Sequence, residues 1–356
     1  MPTETNWRAA LKESAAAVDR IIRESGFPDG VLPDCLGRAV RAYPERGGKR
    51  LRPVILMWSA GASGGDPEKG VYAAAALEVL HNWTLVHDDI IDCDAMRRGE
   101  PTAHVLLARS MPDGGEEKFR SKFGSDMAIL AGDVMQAWVF DLLDQCGLPE
   151  ELHRRVRREF RRRGYLELIS GEAVDVEFSY RDPASVTMAE LCAMQRGKTG
   201  ALLRLAAETG AAVALQDASW SHPWITALGD FAEALALAFQ LRDDELGLFG
   251  KPEKFGKPIG SDLSESKATL FLIHALRHAA PASREKLRAM LGKVSYTGEE
   301  LNEVRSVLTD CGAVAAVRSE IARLTDAAEE ALRRLPETVY RKHLGELARA
   351  LVTREV

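Results

Sequence analysis

Apolar residues recur at three- and four-residue intervals along almost the whole chain. Trp7, Leu11, Val18, Ile21 and Ile22 form the stripe of a first amphipathic helix. Arg52-Pro53 opens another helix with proline in a first-turn position, and the loop GASGGDPEKG follows it. Residues from about 71 to 92 read as one long, largely apolar helix. The polar, glycine-rich RSMPDGGEEKFRSKFG reads as a surface loop, and the stretch from Asp126 to about Cys146 as a further apolar helix. Thr187 with Glu190, and Thr297 with Glu300, have the capping-box spacing that starts a helix. No apolar–polar alternation lasts long enough to build a sheet, and no short repeat or low-complexity segment is present. No linker marks a domain break. The pattern predicts an all-α fold, one domain of many helices over residues 1–356.

Composition points the same way. Hydrophobic residues make up 46% and aromatics 6%, with Ala and Leu dominant and few β-branched runs. The formal net charge of −6 argues against a nucleic-acid partner. It also obliges an anionic substrate to rely on local positive charge. The five cysteines (Cys35, Cys93, Cys146, Cys192 and Cys311) form no CxxC pair, so a disulfide framework or zinc site is not expected and a reducing cytosol fits. MPTETNWRAALKES lacks the apolar core of a signal peptide. No apolar run reaches the ~18 residues of a membrane span, because Glu78, His81, Asp230 and Glu233 break the richest stretches. The expectation is a soluble, cytoplasmic protein without stable membrane insertion, which leaves a greasy substrate open.

The candidate chemistry lies in two acidic segments with basic neighbours. LVHDDIIDCDAMRRG holds Asp88, Asp89, Asp92, Arg97 and Arg98. On a helix, Asp88 and Asp92 lie one turn apart on one face, and Asp89 flanks it. Like charges at that spacing destabilise a helix, so a cation is implied, and the apolar neighbours HNWTLV and II fit a solvated acidic face poorly. Oxygen ligands favour Mg2+ or Ca2+, and Mg2+ commonly binds through one or two carboxylates together with substrate phosphates. The second segment, FQLRDDELG, holds Asp243 and Asp244; Gly247, one turn on, cannot ligate, and Gly247 and Gly250 are expected to fray the helix end. Taken alone it reads as a polar helix terminus. If both segments are helical, the two carboxylate clusters can face each other across a cavity. Lys49 and Arg52 of GGKRLRP suit phosphate as a point charge and a bidentate fork. Lys198, beside Thr199 in RGKTGALL, must snorkel or find an anion. His81, two turns before Asp88 on nearly the same face, reads equally as a ligand group or a core histidine, whereas His87 points about 100° away and reads as structural. Carboxylate-held Mg2+ among Lys and Arg is the chemistry of a diphosphate site.

The segments GGKRLRP, HNWTLVHDDIID, RRG with PTAH, AILAGD, KTGALL, FQLRDD and GKPIGSDL occur in the same order in the trans-isoprenyl diphosphate synthases, and from residue 47 to about 270 the chain resembles that family. The resemblance implies an isoprenyl synthase fold around a deep central cavity, usually as a homodimer. It implies Mg2+-dependent condensation of isopentenyl diphosphate with an allylic diphosphate, about three ions taking part. By position, Asp88 and Asp92, with Asp89 beside them, would bind two ions, and Asp243 a third with Asp244 in support. Arg97, Lys198, Thr199, Gln240 and Lys257 would contact the allylic diphosphate. Lys49, Arg52, His81 and Arg98 would form the isopentenyl diphosphate site. No protein nucleophile is required: metals and cations stabilise the leaving diphosphate, the isopentenyl double bond attacks the allylic cation, and a proton is lost. Apolar walls keep out water that would quench the cation.

Two positions depart from the family pattern: Gly247 stands where a third Asp is frequent, and Glu172 where Gln is frequent. The first bears on metal binding at the second segment; the second changes a wall residue with no assigned role. A bulky Trp83 and a small Thr84, about one turn before Asp88, make Trp83 the expected cavity floor. A lone aromatic at that position resembles the geranylgeranyl diphosphate synthases of the family, which implies a twenty-carbon product, with fifteen carbons or a longer chain as alternatives. A terpene cyclase shares the fold but needs no second basic pocket, and a non-catalytic subunit would lack the first aspartates or Lys198, which are present here.

Overall fold

Asn6 accepts the Ala9 N–H and so starts α1 (Trp7–Glu24), whose buried face carries Val18, Ile21 and Ile22 as the stripe predicts. The computed structural model describes residues 6–112, 116–250 and 259–353. Helices α2 (Asp34–Glu45), α3 (Leu51–Ala62), α4 (Val71–Ile91), α5 (Ala103–Ala108), α6 (Glu117–Asp144) and α7 (Glu150–Glu159) follow. Among the described residues the only ladder is a two-stranded one, β1 (Met96–Arg97) against β2 (Glu100–Pro101). The chain divides into two compact units. The first comprises Met1–Glu159, Ala206–Ile225 and Pro336–His343; the second comprises Phe160–Leu205, Thr226–Leu335 and Leu344–Val356.

In the first unit α4 packs against α1, α2, α3 and α6. α3 is apolar all round and is buried from Pro53 to Ala62, the state required of a helix with no polar face. The alanine run Ala73–Ala76 is buried as well, and its small side chains admit close neighbours. One expectation needs correcting: α6 begins at Glu117 rather than Asp126, so EKFRSKFG is helix rather than loop. Its exposed Glu and Lys residues are good helix formers, and polarity alone does not separate an exposed helical turn from a loop.

The second unit holds α8 (Leu168–Phe178), α9 (Met188–Gln195) and a widened helical turn at Arg196–Gly200. Both predicted capping boxes form, at Thr187/Glu190 and Thr297/Glu300. In chain order helices α10 (Ala201–Leu215) and α11 (Pro223–Phe249) follow, of which residues 206–225 are counted with the first unit, then Leu270–His278, Pro281–Met290, Gly298–Asp310 and Ala313–Arg333. A second correction concerns Gly247. It does not fray α11: the helix runs on to Phe249, Gly247 is buried, and its carbonyl accepts the Gly260 N–H at 3.0 Å. Burial and that bond override the weak helix propensity of glycine. By length and composition α11 could cross a membrane, yet 67% of its most apolar window is buried inside the protein.

Candidate active site

The aspartate face of α4 ends where the helix ends. Asp92 is exposed and caps the C-terminus, its N–H bonding to the Asp88 carbonyl at 2.8 Å. Asp88 is half-buried and receives Arg97 Nη2 at 3.1 Å. Arg97 lies on β1 of a tight hairpin whose turn residues, Arg98 and Gly99, both have positive φ (55° and 80°), as a two-residue turn matched to strand twist requires. Burial opposes the charge of Arg97, but Asp89 and Asp88 outweigh it and raise its pKa.

Asp89 departs from its expected place among the metal ligands. It is fully buried; one carboxylate oxygen accepts from Tyr43 Oη and the other from Arg97 Nε. At three residues from Asp92 it sits far enough round the helix to face α2 instead of the exposed end. Burial pushes its carboxyl pKa up, while Tyr43 and Arg97 pull it back.

GGKRLRP forms a basic site around His81. Arg50 takes a left-handed conformation (φ 47°) at the start of α3, and its buried guanidinium binds Asp19 at 2.7 Å, Glu78 at 2.6 Å and the Pro44 carbonyl. Arg50 is therefore an anchor, one that the motif offered but the sequence reading did not separate from its neighbours. Arg52 Nη1 donates to His81 Nε2 at 3.0 Å, and Arg52 Nε is buried without a hydrogen-bond partner. Burial, then Arg52, Arg98, Arg97 and Arg50, hold His81 well below the usual histidine pKa, so its ring is neutral. Arg98 donates to the Gly47 carbonyl at 2.9 Å, and a Cβ on Gly48 would lie 2.7 Å from Arg98 Nη1. The second glycine thus makes room for an arginine side chain. Lys49 is exposed. One turn before Asp88, Trp83 is buried and packs edge-on to His87, while Thr84 turns its hydroxyl back to the His81 carbonyl at 2.7 Å. His87 Nε2 lies 3.3 Å from the Ile129 carbonyl of α6.

In the second unit Lys198 sits on the widened turn beside α8. Its Nζ reaches Asp175 Oδ2 at 2.6 Å and Glu172 Oε1 at 3.0 Å. Two glycines allow this approach: a Cβ on Gly171 would lie 2.2 Å from the Lys198 backbone nitrogen, and one on Gly197 would lie 2.9 Å from Gly171 Cα. The unassigned departure at Glu172 therefore has a role, as a partner of Lys198. Asp175 was missed by the sequence reading, although it stands three residues from Glu172 on the same helical side. Thr199 Oγ1 donates to Gln240 Oε1 at 3.2 Å, and Gln240 Nε2 donates to Asp244 Oδ1 at 2.9 Å. Asp244 is buried, and burial pushes its carboxyl up to about 7 against the pull of Lys267. Lys267 keeps its charge because Asp262, Asp244 and Asp175 outweigh its burial. Asp243 is half-buried. Lys257 lies outside the described residues.

Among the described residues no three Asp, Glu, His or Cys side chains converge into a cage that would hold a metal alone. That fits Mg2+, whose sites commonly combine one or two carboxylates with phosphate oxygens and water. Asp88 and Asp92 stand four residues apart at the C-terminal end of α4.

A family model for polyprenyl synthetase matches residues 33–308. A geranylgeranyl pyrophosphate synthase of Geoglobus acetivorans is 37% identical over 323 residues, covering 91% of this chain and 92% of the relative. The crystal structure of a geranylgeranyl pyrophosphate synthetase from Pyrococcus horikoshii superposes with a TM-score of 0.86 at 34% identity, covering 98% of each chain. A geranylgeranyl pyrophosphate synthase from Corynebacterium glutamicum, solved with isoprenyl diphosphate and magnesium, gives a TM-score of 0.85 at 30% identity over 97% of this chain and 99% of that one. With helices throughout and this match over most of its length, the chain belongs to the polyprenyl synthetase family. It is a prenyltransferase, of a family whose solved members include complexes with divalent metal and isoprenyl diphosphate.

Proposed function

We propose that the protein joins isopentenyl diphosphate to an allylic diphosphate, head to tail, and releases a twenty-carbon all-trans prenyl diphosphate. The observation that carries this reading is the buried Arg52 Nε beside a neutral His81, with Arg97 and Arg98 near in charge. A desolvated guanidinium with an unused donor gains most from a doubly charged oxyanion. Lys49, Arg52, His81 and Arg98 take the isopentenyl diphosphate. Asp88 and Asp92 hold Mg2+ at the allylic diphosphate, with Arg97 beside them. In the second unit Asp243 serves a further ion with Asp244 in support, and Lys198, Thr199, Gln240 and Lys257 contact diphosphate. About three Mg2+ ions, when bound there, would supply the Lewis-acid chemistry that neutralises charge on the departing diphosphate. The protein's own part is to orient both substrates, donate hydrogen bonds to diphosphate oxygens and keep water from the cation.

Relatives that are geranylgeranyl diphosphate synthases, and the bulky Trp83 about one turn from Asp88, support this product length. A homodimer is supported by Phe119, Ile129 and Leu130, large apolar side chains that α6 leaves exposed. A cytoplasmic location agrees with five free cysteines. The test is direct. Purified protein is incubated with Mg2+, isopentenyl diphosphate and, separately, dimethylallyl, geranyl and farnesyl diphosphates, and the products are sized. Twenty-carbon product is the expected result. No condensation with any primer would overturn the reading.

A further inference from the structure

The hairpin that carries Arg97 is held from α2, and the hold passes through a residue in none of the sequence motifs. Tyr43 Oη donates to the buried Asp89 carboxylate, whose other oxygen accepts from Arg97 Nε. The backbone N–H of Ala103 donates to the same phenol oxygen at 3.3 Å, which fixes the hydroxyl's direction. Arg46, just past the end of α2, packs its guanidinium 5.3 Å from the Tyr43 ring centre and donates to the Pro101 carbonyl at 3.1 Å. Thr102 Oγ1, just past the hairpin, bonds to the Asp94 carbonyl at 2.7 Å. Burial, with Asp89 adding, raises the Tyr43 pKa, so the phenol remains a donor across the neutral range.

Arg97 is thus oriented by a carboxylate that is itself oriented by Tyr43. Asp89 has no water to fall back on, so loss of the phenol leaves one of its oxygens dependent on Arg97. The guanidinium would then be drawn toward Asp89 and away from Asp88 and any diphosphate beside it. We infer that Tyr43 is a positioning residue for allylic diphosphate binding, acting on Arg97 through Asp89. This rests on the prenyltransferase reading above and deepens it.

The test is Tyr43→Phe in the full chain, with folding checked by circular dichroism and thermal melting. The KM for geranyl diphosphate is expected to rise about tenfold, the size of a lost bond to a charged group, while the KM for isopentenyl diphosphate and kcat stay within about twofold. Calorimetric titration with Mg2+ and inorganic diphosphate should weaken in parallel. The decisive readout is Tyr43→Phe made in an Arg97→Ala background. If Tyr43 acts through Arg97, the second substitution adds nothing to the defect; full additivity would overturn the proposal. Unchanged geranyl diphosphate KM in Tyr43→Phe would overturn it too. Should Tyr43→Phe fail to fold, Asp89→Asn carries the same test, since it breaks the same chain at its middle. A wild-type protein that makes no prenyl diphosphate would instead defeat the functional reading, so the two failures are told apart.

Discussion

Arg50 and Arg52 are two residues apart, yet the fold gives them opposite work. Arg50 spends its hydrogen bonds on Asp19, Glu78 and the Pro44 carbonyl, and Asn82 braces Glu78 at 3.0 Å. Arg52 keeps a buried donor unused and shares one nitrogen with His81. Arg52→Ala should therefore raise the KM for isopentenyl diphosphate by tenfold or more, about 1.4 kcal/mol, and leave that for the allylic substrate nearly unchanged. Steady-state kinetics with each substrate varied in turn checks it; a purely allylic defect would show the two sites exchanged. His81 gives a pH dependence with a definite sign. Its pKa is lower folded than unfolded, so the unfolded chain binds the proton first as pH falls below ~6.5. Its stabilising contribution is complete above that pH and is lost on acidification. Urea midpoints at pH 7.5 and 5.5 should differ less in His81→Gln, whose amide oxygen still accepts from Arg52 but does not titrate. Asp88→Ala should abolish turnover while leaving the protein folded, because the half-buried helix end loses its ion pair with Arg97 but also sheds like-charge repulsion. Near-normal turnover at saturating Mg2+ would refute the metal assignment.

The elements act through their approaches to one another. The widened turn at Arg196–Gly200 lies against α8 because Gly171 and Gly197 present no side chains there, and that contact sets Lys198 against Glu172 and Asp175. Gly171→Ala would place a methyl 2.2 Å from the Lys198 backbone nitrogen. Backbone, unlike a side-chain tip, cannot turn aside. The substitution should cost about 1–3 kcal/mol by overpacking and weaken diphosphate binding through displaced Lys198. Chemical denaturation and calorimetry with Mg2+ and inorganic diphosphate read the two effects. A variant with unchanged stability and binding would mean that the turn adjusts freely. α4 is used in the same economical way: its middle is core, and its C-terminal turn carries the aspartates.

At the scale of the molecule, the proposed ruler for product length is the turn of α4 before Asp88. Trp83 is buried against His87, and Thr84 is half-buried on the same turn. Trp83→Ala should lengthen the main product and cost ~3–5 kcal/mol of stability; Thr84→Phe should shorten it. Chromatography of products from soluble, folded variants is the check. If Trp83→Ala stops at the wild-type length, Trp83 is packing only and another residue forms the floor.

The sequence alone established the all-α class, most helix positions, both capping boxes and the motif residues themselves. Those are local properties: periodicity, caps and charge spacing act within a few residues. It did not separate the exposed first turns of α6 from a loop, nor foresee that α11 runs through Gly247, because each depends on neighbours distant in the chain. It named Asp89 as a metal ligand and gave Glu172 no role. Only the tertiary structure set Tyr43 on Asp89 across 46 residues of sequence and Lys198 between Glu172 and Asp175. The physical reason is burial. A motif shows which side chains could bind a metal or an anion. Whether a carboxylate faces solvent or spends its oxygens on a tyrosine and an arginine is decided when helices pack and water leaves.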